Sequence, residues 1–239
     1  MVMNTDLIEQ RIHNFLGYGN IKSNFWFFGM EEGFNGTMKE LEKRFINTHH
    51  KHTFDAYEDM KDVKDHIKWF SKNPPLQNTM KQLIRLYLSF RNQDNISTDK
   101  IRNYQELKFG RLSSDTCSLN LMPLPCKSTN ERDWFYDKYN LDYLESRKTY
   151  FEKILPLRIK LYRNILSKYN PEVVVFYSLS YLDYWKKIIG KDFKKINNRL
   201  YYAKVNKTNF YVIPHPSAFG IKNDFWLESG KLIRTQIIT

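Results

Sequence analysis

Only two cysteines, Cys117 and Cys126, occur in the 239 residues of this chain. Two thiols are too few for a disulfide framework or a four-thiolate zinc or iron–sulfur site, and they suit a reducing cytoplasm. No apolar run approaches the roughly 18 residues of a membrane span, and Met1 to Arg11 lack the basic and apolar stretches of a secretory leader. Membrane insertion and secretion are not expected, and the expected localisation is cytoplasmic. No internal repeat or low-complexity linker divides the chain, so residues 1–239 are expected to form a single domain and a monomer.

Hydrophobic residues make up 41% and aromatics 16% of the chain, enough for a sizeable core. With 38 basic and 26 acidic side chains the formal charge is +12. Lysines and arginines near phosphates release condensed counterions, so a polyanion such as DNA is a natural partner. A chain rich in Lys, Asn, Ile, Tyr and Phe reaches the same charge without any such partner. Motifs have to decide between the two.

Leu7, Ile8, Ile12, Phe15 and Leu16 share one face of an opening helix that Gly17 is suited to end. Asn24 to Met30 is a nearly continuous apolar run, the pattern of a strand buried on both faces of a parallel sheet. A glycine-bearing loop, Gly29 to Gly36, leads to Thr37 and Glu40, a T-x-x-E capping box at the start of a helix carrying Leu41 and Phe45. Residues from about 47 to 75 are polar, contain His49, His50 and His52, and end at Pro74-Pro75. They read as an inserted or flexible lobe, with the histidines in a solvated loop rather than a metal site.

The spacing of Leu76, Met80, Leu83, Ile84, Tyr87 and Leu88 predicts a helix over 76–90, and Cys117 to Leu124 predicts a second buried strand. A long helix follows, with Phe151, Ile154, Leu155 and Tyr162 inward; Pro156 is expected to kink or divide it, and Asn170-Pro171 to stop it. Glu172 to Tyr177 is the clearest strand, and the helix after it carries Trp185 and Ile188 before Gly190. Tyr201 to Val205 and Asn209 to Ile213 read as a hairpin, and a last helix begins at Asp224. Strands alternating with helices predict an α/β fold: three-layer α/β/α with a mainly parallel central sheet of about four strands. Such sheets bind ligands beyond the carboxyl ends of their strands.

Three polar motifs fall at those ends. The first is Gly29-Met30-Glu31-Glu32-Gly33-Phe34-Asn35-Gly36; the second is Leu119-Asn120-Leu121-Met122-Pro123; the third is His215-Pro216-Ser217-Ala218-Phe219-Gly220. In this order, on alternating strands and helices, they resemble the uracil-DNA glycosylase superfamily. The likeness runs roughly from Phe25 to Trp226, and each motif alone is weak.

The resemblance implies a monofunctional DNA glycosylase of base-excision repair, without metal or other cofactor, acting on a pyrimidine flipped out of duplex or single-stranded DNA. Glu31 would position or activate the attacking water and His215 would stabilise the departing base. Asn120 would select that base, with Gly29, Met30, Gly33 and Phe34 around it. Ser217 would grip phosphate, and Phe219 would hold the gap left in the stack. Lys186, Lys187, Lys204 and Lys207 belong to a basic stretch before the third motif and would face phosphates.

Two departures from the family pattern matter. Glu31 is one methylene longer than the aspartate of the most active uracil enzymes. Gly33 stands where those enzymes carry a tyrosine that blocks a C5 substituent, so thymine-sized or C5-modified pyrimidines are admitted, which suits defence against phage DNA as well as repair. The iron–sulfur branch, with four cysteine ligands, does not fit. Plain structural roles remain open as well: Glu31 and Glu32 beside a helix N-terminus, His215 in a structural loop, Asn120 satisfying backbone groups. Two other functions fit the same residues, an inactive nucleic-acid-binding protein of this fold and a site for a small phosphorylated ligand.

Overall fold

In the computed structural model, which describes residues 4–48, 50–93 and 95–238, the sheet grows outward from the most apolar strands of the chain. β1 (Gly17–Gly19), β2 (Phe25–Gly29), β3 (Thr53–Phe54), β4 (Thr116–Asn120), β5 (Val173–Tyr177), β6 (Lys194–Asn197), β7 (Leu200–Val205) and β8 (Thr208–Ile213) form one sheet in the order β3-β1-β4-β2-β5-β8-β7-β6. Its centre, β4-β2-β5-β8, is parallel throughout. The expected four parallel strands are thus the middle of an eight-stranded mixed sheet. β1 runs antiparallel to β4 at one side, and β7 and β6 continue antiparallel from β8 at the other. The added strands include a Gly-Tyr-Gly triplet, a two-residue pair and a solvent-facing Lys-Lys-Ile-Asn segment, which carry no buried apolar pattern to read.

Side-chain alternation along the central strands supplies two cores. Trp26, Phe28, Leu119, Val174, Phe176 and Val212 face α1 (Thr5–Asn14), α2 (Met38–Thr48), α6 (Arg147–Tyr169) and α7 (Leu182–Ile189). Phe25, Phe27, Val173, Val175, Tyr211 and Ile213 face α4 (Asn78–Phe90), α5 (Thr98–Leu107) and α8 (Asn223–Ile238). Strands covered on both sides are mostly apolar along their length, which is why β2 and β5 read as unbroken runs. The Thr37–Glu40 capping box forms as expected: the Thr37 amide donates to Glu40 Oε2 at 2.7 Å, and the Glu40 amide to Thr37 Oγ1 at 3.3 Å.

Three local expectations change. The opening helix ends at Asn14, and Gly17 starts β1 instead of capping it. A Cβ at Gly17 would lie 2.2 Å from the Ser118 carbonyl oxygen, so its glycine serves close strand approach. The second strand stops at Asn120, although Leu121, Met122 and Leu124 remain buried beyond it.

Pro156 lies within a single 23-residue α6. It is exposed, while Tyr150, Ile154, Arg158 and Tyr162 bury the inner side of both halves. Arg158 also donates to the carbonyls of Ile12, Phe15 and Leu121 at 2.8–2.9 Å, tying α6 to α1 and to the end of β4.

The polar segment from about 47 to 75 packs into the same body. β3 pairs with β1, α3 (Ala56–Met60) follows, and Met60, Val63 and Phe70 are buried in the larger core. Of its three histidines, His49 lies outside the described residues, and His52 sets Nδ1 3.0 Å from the Asn14 carbonyl oxygen. No helix is long and apolar enough to cross a membrane, among the described residues.

Candidate active site

Beyond the carboxyl ends of the central strands lies a cleft of about 360 Å³, within the size range of small-ligand sites. Glu31, Asn120 and His215 all line it, with Gly33 beside them. β2 delivers the first loop, β4 ends at Asn120, and β8 leads through Pro214 to His215.

Glu31 is only 10% exposed, and its Oε1 accepts from Arg147 Nη2 at 2.7 Å. Its Oε2 is buried and has no hydrogen-bond partner among the described residues. Burial pushes its carboxyl above the ordinary 4.5, against the opposing pull of Arg147. The residue therefore offers one anchored oxygen and one free, strengthened acceptor. Arg147 opens α6 after the Ser146 cap, whose Oγ accepts from the Thr149 amide at 3.0 Å.

His215 sits at the open rim. Partial burial lowers its imidazole below the ordinary 6.5, so the ring is neutral at neutral pH. The Ser217 amide donates to Nδ1 at 3.2 Å, which leaves the ring proton on Nε2 as a donor. The ring packs edge-on to Tyr177, with centroids 5.7 Å apart. Tyr177 in turn occupies the space above Gly29, where a Cβ would meet its hydroxyl at 2.2 Å. Gly29 is needed for this approach.

Asn120 is held by its backbone. Its amide donates to the Leu16 carbonyl at 2.8 Å, and its carbonyl accepts from Tyr162 Oη at 2.6 Å. Among the described residues nothing hydrogen-bonds its side-chain amide, so that group is not spent on the protein's own backbone. Gly33 borders open space: a Cβ built there meets nothing within 4 Å.

The remaining assignments divide. Phe34 does not reach the cleft; it is buried behind the loop, 5.8 Å from the His66 ring and 5.5 Å from the Arg44 guanidinium carbon. Met30 is also a core residue, whose carbonyl accepts from the Met122 amide at 2.7 Å. Phe219 is fully exposed, and Ser217 Oγ lies 3.2 Å from Thr79 Oγ1 at the cleft edge.

The four lysines do not border the site. Lys204 and Lys207 flank the β7–β8 turn at the amino end of β8, a six-residue strand or about 20 Å from His215. Lys186 pairs with Asp192 at 3.2 Å and Asp183 at 3.7 Å, and Lys187 lies on the half of α7 that returns toward that same end. The extended β8 carries the chain across the sheet between Lys207 and His215, so closeness in sequence becomes separation in space.

Several lining residues carried no signal. Trp69, Phe70, Phe109 and Met80 make an apolar wall, two of them from the polar 47–75 segment. Glu32 and Tyr18 also line the cleft and sit on a buried charge network. Arg44 Nη2 donates to both Glu32 oxygens at 2.7 and 2.8 Å, and Arg44 Nε donates to Asp59 Oδ2 at 2.9 Å. Tyr18 Oη lies 2.6 Å from Asp59 Oδ2, and Arg11 Nη2 is 3.8 Å from Glu32 Oε2. Lone arginines and tyrosines in a sequence do not announce such partners.

A second depression, about 500 Å³, opens at the amino ends of the strands. Its charged groups include Arg91 and Asp115, 3.6 Å apart. Among the described residues no three His, Cys, Asp or Glu side chains cluster as metal ligands. No family model and no curated protein matches the chain.

Proposed function

We propose that the protein is a divergent member of the uracil-DNA glycosylase superfamily that hydrolyses the N-glycosidic bond of a flipped uracil-like or C5-modified pyrimidine in DNA. The observation that carries this reading is the meeting of Glu31, Asn120 and His215, from three distant motifs, around one cleft with open space at Gly33.

The chemistry follows from the atoms available. A water held by Glu31 Oε2 attacks the sugar C1′ and gives its proton to the carboxylate. The C1′–N1 bond breaks, and its electron pair leaves with the base. Charge grows on the base O2, where the neutral His215 offers Nε2–H as a preorganised donor. The proton held by Glu31 then returns to the base, giving free base and an abasic sugar. The free amide of Asn120 reads the Watson–Crick edge. Fully exposed Phe219 suits insertion into the vacated stack. This role extends to repair or to defence against foreign DNA according to the base removed.

The experiment is to incubate the protein with duplex and single-stranded oligonucleotides bearing uracil, thymine mispairs or C5-modified cytosines, and to cleave abasic sites with alkali. Strand breaks at one of these bases are expected; none with any of them overturns the reading. One observation favours a nucleic-acid-binding protein without hydrolysis. Arg147 Nε is buried and unpartnered beside Glu31, and a second bond from it to Oε2 would leave no oxygen for water. That alternative predicts salt-sensitive DNA affinity with no abasic product.

A further inference from the structure

The surroundings of Glu32 bear on which base the cleft accepts. Glu32 is 17% exposed and lines the cleft next to Gly33, whereas Arg11 and Arg44, which bond or approach it, do not line it. Arg44 reaches both of its oxygens from behind. Tyr18 has one proton to give, and burial keeps it on the phenol by raising its pKa well above 10. That proton goes to the nearer acceptor, Asp59 at 2.6 Å, rather than to Glu32 at 3.2 Å. An ionised carboxylate accepts at about four positions and donates at none. Glu32 thus turns unmet acceptor capacity toward the cavity.

Tyr18 stands opposite Ser118 in the β1–β4 register, two residues from Asn120 on β4, so Glu32 lies on the side of the cleft that Asn120 occupies. A uracil or thymine ring presents a carbonyl at C4, an acceptor facing an acceptor. A cytosine-class ring presents an exocyclic amine there, which donates. Leaving a desolvated acceptor unpaired is costly, and a site built around a hydrogen bond rejects the analogue that lacks its partner.

We propose that Glu32 makes the cleft selective for a pyrimidine with an exocyclic amine at C4, a cytosine-class base whose C5 substituent occupies the space at Gly33. This inference rests on the glycosylase reading and narrows its substrate. Glu32 acts as a specificity-determining residue, distinct from Glu31 and His215 at the reacting bond.

Matched oligonucleotide pairs isolate the amine. 5-Methylcytosine and thymine share their C5 methyl, and 5-hydroxymethylcytosine and 5-hydroxymethyluracil share their hydroxymethyl, so each pair differs only along the C4–N3 edge. The wild-type protein is expected to release the amine-bearing member of at least one pair with kcat/KM about 100-fold or more above its partner. Glu32→Gln, whose amide also donates, should lower that ratio about tenfold or more, with circular dichroism reporting its fold. If the variant does not fold, the wild-type ratio alone decides. Equal or faster release of the carbonyl members overturns the inference and leaves the glycosylase reading intact. No release from any substrate, uracil included, removes both.

Discussion

Two neighbouring carboxylates, Glu31 and Glu32, stand in opposite surroundings. Glu31 meets one arginine, keeps one oxygen without a partner, and is pushed toward a higher pKa by burial. Glu32 is held through both oxygens by Arg44, which also binds Asp59. The same side chain at successive positions of one loop keeps a free oxygen in the first case and is held through both oxygens in the second. Chemistry at a site is set by what the tertiary partners leave unsatisfied, more than by residue type.

The comparison breaks most sharply at Glu31. Glu31→Gln keeps the size and removes the base, so abasic-site formation should fall about 10²–10⁴-fold with little change in DNA affinity. A loss below tenfold would move the water to another group. On the other side, Arg44→Met strands Glu32 and Asp59 beside each other and should cost about 3–5 kcal/mol in denaturant unfolding. A small change there would mean that Glu32 does not depend on its network.

Gly33→Tyr fills the open space beside the two carboxylates. Release of C5-substituted bases should fall about tenfold or more relative to uracil, because a single misplaced group in a pocket is worth that much. An unchanged ratio would place the C5 substituent elsewhere.

The smallest effect concerns pH. Activity needs ionised Glu31, whose folded pKa is raised, so the rate should rise with pH through a midpoint above the ordinary 4.5. Arg147→Met removes the charge that opposes the rise and should move that midpoint higher still. A midpoint that does not rise would show that Arg147 does not face this carboxylate in solution.

Much of the frame was legible because it depends on local rules. β2 and β5 announced themselves as apolar runs, the Thr37–Glu40 box marked the start of α2, and Asn170 and Gly190 take positive φ values at the ends of α6 and α7. β1, β3 and β6 were not legible, because they are only two to four residues long and exist only through the strand they pair with. Phe34 and Phe219 show the limit within the motifs. Both were candidate contacts to DNA, yet one is buried behind its loop and the other is fully exposed. Hydrophobicity alone does not give the direction of a side chain. The four lysines lie away from the cleft for a related reason, since nearness along the chain does not give the direction in which a strand or helix carries it.

The sequence by itself determined the alternation of strands and helices, the apolar central strands, and the placing of three polar motifs at strand ends. Only the tertiary structure decided that Arg147 leaves one Glu31 oxygen free, that Arg44 claims Glu32, and that an aromatic wall arises from a segment that reads as polar. The division has a physical cause: backbone pattern and capping act over a few residues, whereas ion pairing, desolvation and cavity shape depend on groups that folding brings together from far along the chain.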